Sequence, residues 1–149
     1  MYYLNLMVGR PQKMRRLQNG SSCVYEIYYH IVWCPKYRKP ILTDEILQFL
    51  DEAIRTICDT KEWTLHELKI QPDHLHIFLS AHPKFSPTAI VKILKGVTGL
   101  RLFKAHPELK KEYWAGHIWS PSYFVGTAGT VTKDAIKKYI ELNLSTKQV

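Results

Sequence analysis

Two pairs of side chains in this 149-residue chain have the type and spacing for metal binding and nucleophilic attack. In His74-Leu75-His76-Ile77-Phe78-Leu79-Ser80 the histidines alternate with apolar residues. Successive strand side chains leave on opposite faces, so Leu75, Ile77 and Leu79 should face a core while His74 and His76 share the other side. Two imidazoles at i and i+2 are close enough to ligate one metal ion, with their apolar neighbours anchoring the strand. The same pattern also serves histidines that pack or hydrogen-bond in an ordinary sheet. The second pair lies in Lys137-Lys138-Tyr139-Ile140-Glu141-Leu142-Asn143, where Tyr139 and Asn143 are four apart and share a helical face. Spacing alone favours the plainer account of Tyr139, an amphipathic tyrosine at the core edge beside the Ile136, Ile140, Leu144 stripe.

The elements that must position these groups are legible from periodicity. Residues 23–34 read as a strand, with Cys23, Tyr25, Ile27, Tyr29, Ile31 and Trp33 on one side and Glu26, Tyr28 and His30 on the other. A basic turn from Pro35 to Pro40 precedes a helix that begins near Thr43, a cap residue, with Asp44 and Glu45 at the positive end of its dipole. Ile46, Leu50, Ala53, Ile54 and Ile57 form its apolar stripe. Residues 63–70 and 74–80 read as strands separated by the Pro72-Asp73 turn. Ser86-Pro87 announces a second helix to about Ala105, with Ile90, Val91, Leu94, Val97 and Phe103 as its buried positions and Gly96 and Gly99 weakening its middle. Residues 117–128 read as a fourth strand, with Pro121 near an edge or bulge, and Thr132 caps a last helix reaching about Leu144. This order predicts an α+β chain with a ferredoxin-like antiparallel sheet (split βαβ). Its helices lie on one face, the other face is open to ligand, and an extra C-terminal helix carries the tyrosine. Residues 1–22 are expected to be a basic arm and 23–149 a single domain.

Composition narrows the class of partner. Lys plus Arg number 21 against 13 Asp plus Glu, a formal charge of +8 that favours a polyanion such as nucleic acid. Cys23, Cys34 and Cys58 are widely spaced and odd in number, so neither a zinc knuckle nor a disulfide framework is indicated, which fits a reducing, cytoplasmic setting. No apolar run approaches the length of a membrane span, and the amino terminus places its apolar residues before its basic ones, the reverse of a secretory signal.

Three segments, His30-Ile31-Val32-Trp33-Cys34-Pro35-Lys36-Tyr37-Arg38, Pro72-Asp73-His74-Leu75-His76 and Tyr139-Ile140-Glu141-Leu142-Asn143, occur in an order that resembles the single-tyrosine HUH transposases. These are the small transposases (TnpA) of minimal bacterial and archaeal insertion sequences. Lys95-Gly96 and Trp119-Ser120-Pro121-Ser122-Tyr123 resemble further family segments, and the similarity spans about residues 23–143. The resemblance implies a metal-dependent single-stranded DNA transposase in which His74 and His76 bind a divalent ion and Tyr139 becomes joined to a DNA 5′ phosphate. It further implies recognition of imperfect hairpins near the element's ends, and a homodimer in which the tyrosine helix of one subunit completes the histidine site of the other. Lys36, Arg38, Lys39, Lys92, Lys95, Arg101 and Lys104 are the candidate DNA contacts, and Tyr28, Trp119 and Tyr123 are candidates for stacking on unpaired bases.

One position departs from the family. Its members usually carry glutamine as a third metal ligand four residues after the tyrosine, whereas this chain has Asn143. The amide oxygen is kept on a shorter side chain, so the helix sits closer, a water intervenes, or metal is held less tightly. A histidine-triad nucleotide hydrolase would need histidine where Phe78 stands, and a replication-initiation nickase lysine where Leu142 stands, so both classes are set aside. Two alternatives stay open: a hairpin-binding module of the same fold without cleavage, and a host-serving relative that processes palindromes.

The residue types suit phosphodiester exchange. A tyrosine of ordinary pKa about 10 is roughly 0.1% ionised at pH 7, an activation cost of about 4 kcal/mol that a nearby cation offsets in part. Two imidazoles and an amide oxygen make a neutral, sparsely occupied site that fits Mg²⁺ or Mn²⁺, though imidazoles also accept zinc. A phosphotyrosine conserves the energy of the broken bond, so rejoining needs no ATP.

Overall fold

Alternation and capping become a four-stranded antiparallel sheet with two long helices. The computed structural model describes residues 18–19, 23–113, 116–127 and 141. Strands β1 (Gln18–Asn19) and β2 (Val24–Tyr25) form a small antiparallel hairpin. The main sheet contains β3 (Tyr29–Trp33), β4 (Thr64–Gln71), β5 (His74–Ser80) and β6 (Phe124–Thr127), ordered β4-β5-β3-β6 with every neighbour antiparallel. Helix α1 (Asp44–Thr60) joins β3 to β4, and α2 (Pro87–Ala105) follows β5. This is the ferredoxin-like α+β arrangement that the sequence predicts. Apart from Glu141, the expected helix from Thr132 to Leu144 lies outside the described residues, and so does most of the expected 1–22 arm.

The core lies between the sheet and the helices. Ile31 and Trp33 of β3 and Leu75, Ile77 and Leu79 of β5 are fully buried against Leu50 and Ile54 of α1 and Ile90, Leu94 and Leu102 of α2. Burying one such side chain is worth roughly 1.5–3 kcal/mol, so the face assignment of each strand is strongly enforced. At the start of α2 the Ser86 hydroxyl accepts from the Ala89 amide, and Pro87 occupies the first turn, as expected. Thr43 takes the cap position of α1, but its side chain makes no cap hydrogen bond, and Asp44 adopts a left-handed φ of 51°.

Two strand boundaries differ from the periodicity reading. The expected 23–34 strand is interrupted at residues 26–28, because Val24–Tyr25 pairs with Gln18–Asn19 and only Tyr29–Trp33 joins the main sheet. The expected 117–128 strand shrinks to Phe124–Thr127 plus an isolated Pro35–Trp119 bridge. Pro121, lacking an N–H, cannot continue the ladder between them. The intervening chain turns instead toward α2, where the Lys95 ammonium donates to the carbonyls of Ser120 and Ser122. Thr98, which periodicity did not mark as buried, is also enclosed there; it accepts from Trp119 Nε1 at 3.0 Å and donates to the Leu94 carbonyl at 2.6 Å.

On the sheet face away from the helices, three side chains are nonetheless enclosed. His30, Val32 and His76 on that face are 2%, 0% and 1% exposed. The rings of Tyr28, His66 and Phe78 pack beside them, which alternation along a single strand does not reveal. Among the described residues no helix is long and apolar enough to cross a membrane.

Gly96 sits on the exposed side of α2, and a Cβ there would meet nothing within 4 Å. Replacing helix glycine with alanine removes backbone freedom from the unfolded chain. Gly96→Ala should therefore raise unfolding stability by about 0.5–1 kcal/mol in urea titrations. A loss of stability would show that the segment around Gly96 is not a regular helix.

Candidate active site

Strand β5 begins at His74, directly after the turn that carries Asp73, and the two residues form one unit. The His74 Nδ1 lies 2.8 Å from Asp73 Oδ1. An ionised carboxylate only accepts, so Nδ1 is the donor of this bond, and in the neutral ring that fixes Nε2 as the nitrogen with the lone pair. Arg38 Nε donates to the other oxygen, Asp73 Oδ2, at 2.7 Å. Burial opposes ionisation of Asp73, but hydrogen bonds from His74 and Arg38, together with the Arg38 charge, outweigh it and hold the carboxyl below its ordinary range. Arg38 reaches Asp73 from a tight turn in which Tyr37 and Arg38 take left-handed φ values of 64° and 50°. A left-handed residue costs on the order of 1–2 kcal/mol, which the charge-assisted Arg38–Asp73 contact helps to offset.

His76 is held differently. Its Nε2 lies 3.1 Å from Nδ1 of His30 on β3, both rings being almost wholly buried. Burial, with the neighbouring His30, His74 and Lys69, pushes His76 down to about 3, and burial alone takes His30 to about 4. Both are neutral at pH 7, so each ring has one donor and one acceptor nitrogen. His30 also stacks on Phe78, with ring centroids 4.4 Å apart. Sequence reasoning placed His30 on the correct strand face but gave it no role. The available signal was its presence on the face shared by His74 and His76; the register that joins β3 to β5 is visible only in the fold.

The histidine pair fits a divalent cation in the chemistry of its donors: His74, whose Nδ1 is engaged by Asp73 so that Nε2 is the nitrogen left to coordinate, and a neutral His76 ring on the same strand face. Among the described residues no three His, Cys, Asp or Glu side chains converge to complete a metal site. Tyr139 and Asn143 lie outside those residues.

The predicted DNA contacts fall into two groups. Arg38 and Lys95 are engaged internally, Arg38 with Asp73 and Lys95 with backbone carbonyls, and burial lowers the Lys95 ammonium to about 8. Lys39 stands 3.6 Å from Glu112 and over the Tyr113 ring. Lys36 and Lys92 line a cleft of about 580 Å³ between α2 and residues 117–123, while Arg101 and Lys104 are exposed on α2. Of the aromatic candidates, Tyr28 stacks on Phe78, Trp119 is buried, and the Tyr123 hydroxyl shares a hydrogen bond with Thr88 at 3.0 Å.

The buried imidazoles make stability pH-dependent. Unfolded, His30 and His76 take up protons near the ordinary 6.5, but folded only near 4 and 3. The unfolded chain therefore binds more protons below about pH 6.5, and stability drops as the pH is lowered, by up to roughly 1.4 kcal/mol per unit for each group. Urea unfolding with a chelator present should show a lower midpoint at pH 5 than at pH 7.5, and His30→Phe should flatten that slope. Equal slopes in wild type and variant would remove His30 as its source.

Comparison with known proteins places this geometry in a family. The model for IS200-like transposases matches residues 23–143. The ISDra2 transposase TnpA of Deinococcus radiodurans is 38% identical over 125 residues, 84% of this chain and 89% of that protein. The transposase for insertion sequence element IS200 of Salmonella typhimurium is 33% identical over 116 residues, 76% of each chain. A crystal structure of a Deinococcus radiodurans transposase superposes with a TM-score of 0.78 at 37% identity, covering 85% of this chain and 98% of that one. A REP-associated tyrosine transposase bound to a REP hairpin shares the fold, with a TM-score of 0.51 at 15% identity over 88% of this chain and 74% of that one. With the family match spanning nearly everything from β2 onward, the chain belongs to the IS200-like transposases.

Proposed function

We propose that this transposase cuts and rejoins single-stranded DNA at the ends of its insertion sequence through a covalent link between Tyr139 and a 5′ phosphate. The observation that carries the reading is the oriented histidine pair: Asp73 fixes the His74 tautomer, and His76 shares its strand face, within a chain of this family. His74 and His76 would hold Mg²⁺ or Mn²⁺, with Asn143 as the third protein ligand. When bound, the ion would neutralise phosphate charge and lower the cost of ionising the nucleophile. The Tyr139 hydroxyl releases its proton to solvent as its oxygen bonds to phosphorus, the phosphorus–O3′ bond breaks, and the departing 3′ oxygen takes up a proton from solvent to become a hydroxyl. Attack by the 3′-OH of an incoming strand reverses the sequence and releases the tyrosine.

The substrate is single-stranded DNA bearing imperfect hairpins. Support comes from the net charge of +8, from the exposed cations Lys92, Arg101 and Lys104, and from the hairpin bound to the REP-associated relative of the same fold. The enzyme works as a homodimer whose two sites each combine a histidine pair from one subunit with a tyrosine helix from the other.

Purified protein with Mn²⁺ should form a covalent adduct with the 5′ side of cleaved element-end DNA, visible as a shifted band on a denaturing gel. Tyr139→Phe should abolish the adduct and leave hairpin affinity within about threefold. Hairpin binding by wild type without an adduct under any divalent ion would favour the binding-module alternative. Adduct formation by Tyr139→Phe would mean that another tyrosine is the nucleophile. Heterodimers of His74→Ala and Tyr139→Phe chains should recover cleavage at one of the two sites; no recovery in verified heterodimers would place each site within one chain.

A further inference from the structure

We propose that His30 is a positioning residue: its ring holds the His76 imidazole through the Nδ1···Nε2 hydrogen bond and thereby sets the orientation in which His76 meets a metal ion. The inference rests on the metal-binding reading of the histidine pair.

The contact runs diagonally across the sheet. His30 is in register with Phe78, and His76 with Val32, so the two imidazoles meet only when both adopt matching rotamers. The bond spans 3.1 Å between rings that are almost wholly buried, where competition from solvent is weak. His30 is itself braced. It stacks on Phe78 at 4.4 Å, and Phe78 packs in turn against Tyr28 and His66, with centroids 5.7 and 5.1 Å away.

The two members of the pair therefore have different orienting partners, and their surroundings explain why. His74 is partly solvated, with a side-chain exposure of 22%, and is held by a carboxylate whose charge Arg38 balances. His76 is enclosed, where a carboxylate would carry a heavy desolvation cost, and a neutral imidazole does the same holding without a buried charge. Residues that orient a metal-bound histidine typically change metal affinity by about 10–100-fold when removed.

The test compares full-length wild type with His30→Phe, which keeps the ring stack but loses the nitrogen, and His30→Asn, whose amide lies near the lost Nδ1. Mn²⁺ affinity, measured by electron paramagnetic resonance, should fall about 10–100-fold in His30→Phe and return to within a few-fold of wild type in His30→Asn. In the metal-free, ¹⁵N-labelled proteins, the His76 ring-nitrogen signals should move in His30→Phe while those of His74 stay in place. Should His30→Phe fail to fold, His30→Leu takes its place. Unchanged Mn²⁺ affinity in the apolar variant, or no rescue by asparagine, overturns the proposal. If wild type binds no Mn²⁺, the metal reading itself fails. His30 is then judged on the metal-free spectra, where unmoved His76 signals in the apolar variant overturn its role.

Discussion

The two-residue period of β5 is the constraint on which the rest of the molecule depends. Leu75, Ile77 and Leu79 enter a core closed by α1 and α2, and their burial obliges His74 and His76 to leave on the opposite face. A slip of one residue would place the imidazoles among aliphatic side chains and the leucines outside, at a cost of several kcal/mol. The hydrophobic effect thus sets the position of the polar groups without touching them. Their finer aim comes from neighbours on other elements: Asp73 and Arg38 for His74, His30 for His76.

These two supports use different physics. The Arg38–Asp73–His74 chain is electrostatic and partly solvated, and its geometry depends on a turn with two consecutive left-handed residues. The His30–His76 contact is neutral, buried and backed by stacked rings. Charge was placed where water remains to screen it, and an uncharged hydrogen bond where water is excluded. Of the two histidines, His74 is the one that solvent reaches, with a side-chain exposure of 22%.

Much of this was legible before any coordinates. The strand carrying His74 and His76 has the bounds that alternation predicts, and Ser86-Pro87 opens α2 as its cap chemistry requires. Local signals of this kind survive because they need only a few adjacent residues. What escaped the sequence depends on register between distant segments. His30 and His76 are 46 residues apart, and nothing local to His30 distinguishes it from a histidine that merely packs. How deeply His30 and His76 sit on the sheet face away from the helices escaped for a related reason: alternation reports which side chains share a face, and it is silent on what the neighbouring strands stack beside them. Lys95 looked like a surface cation because its carbonyl partners are backbone atoms, which leave no mark in sequence.

That last feature bears on how this protein can change over generations. Lys95 fastens residues 120–122 to α2 through main-chain oxygens, so the tether makes no demand on which side chains occupy those positions. The exposed position 122 can vary while the path of the chain into β6 is kept, whereas Ser120 is buried and has less latitude. Lys95 has less latitude, since a shorter or uncharged side chain would remove this tether and leave the segment held by the Pro35–Trp119 bridge, the Ser120 amide on the Cys34 carbonyl and the Trp119–Thr98 hydrogen bond. Variation is thereby channelled into the exposed part of the loop, and its cost falls on the positions that fasten it, Lys95 and Thr98 of α2 among them.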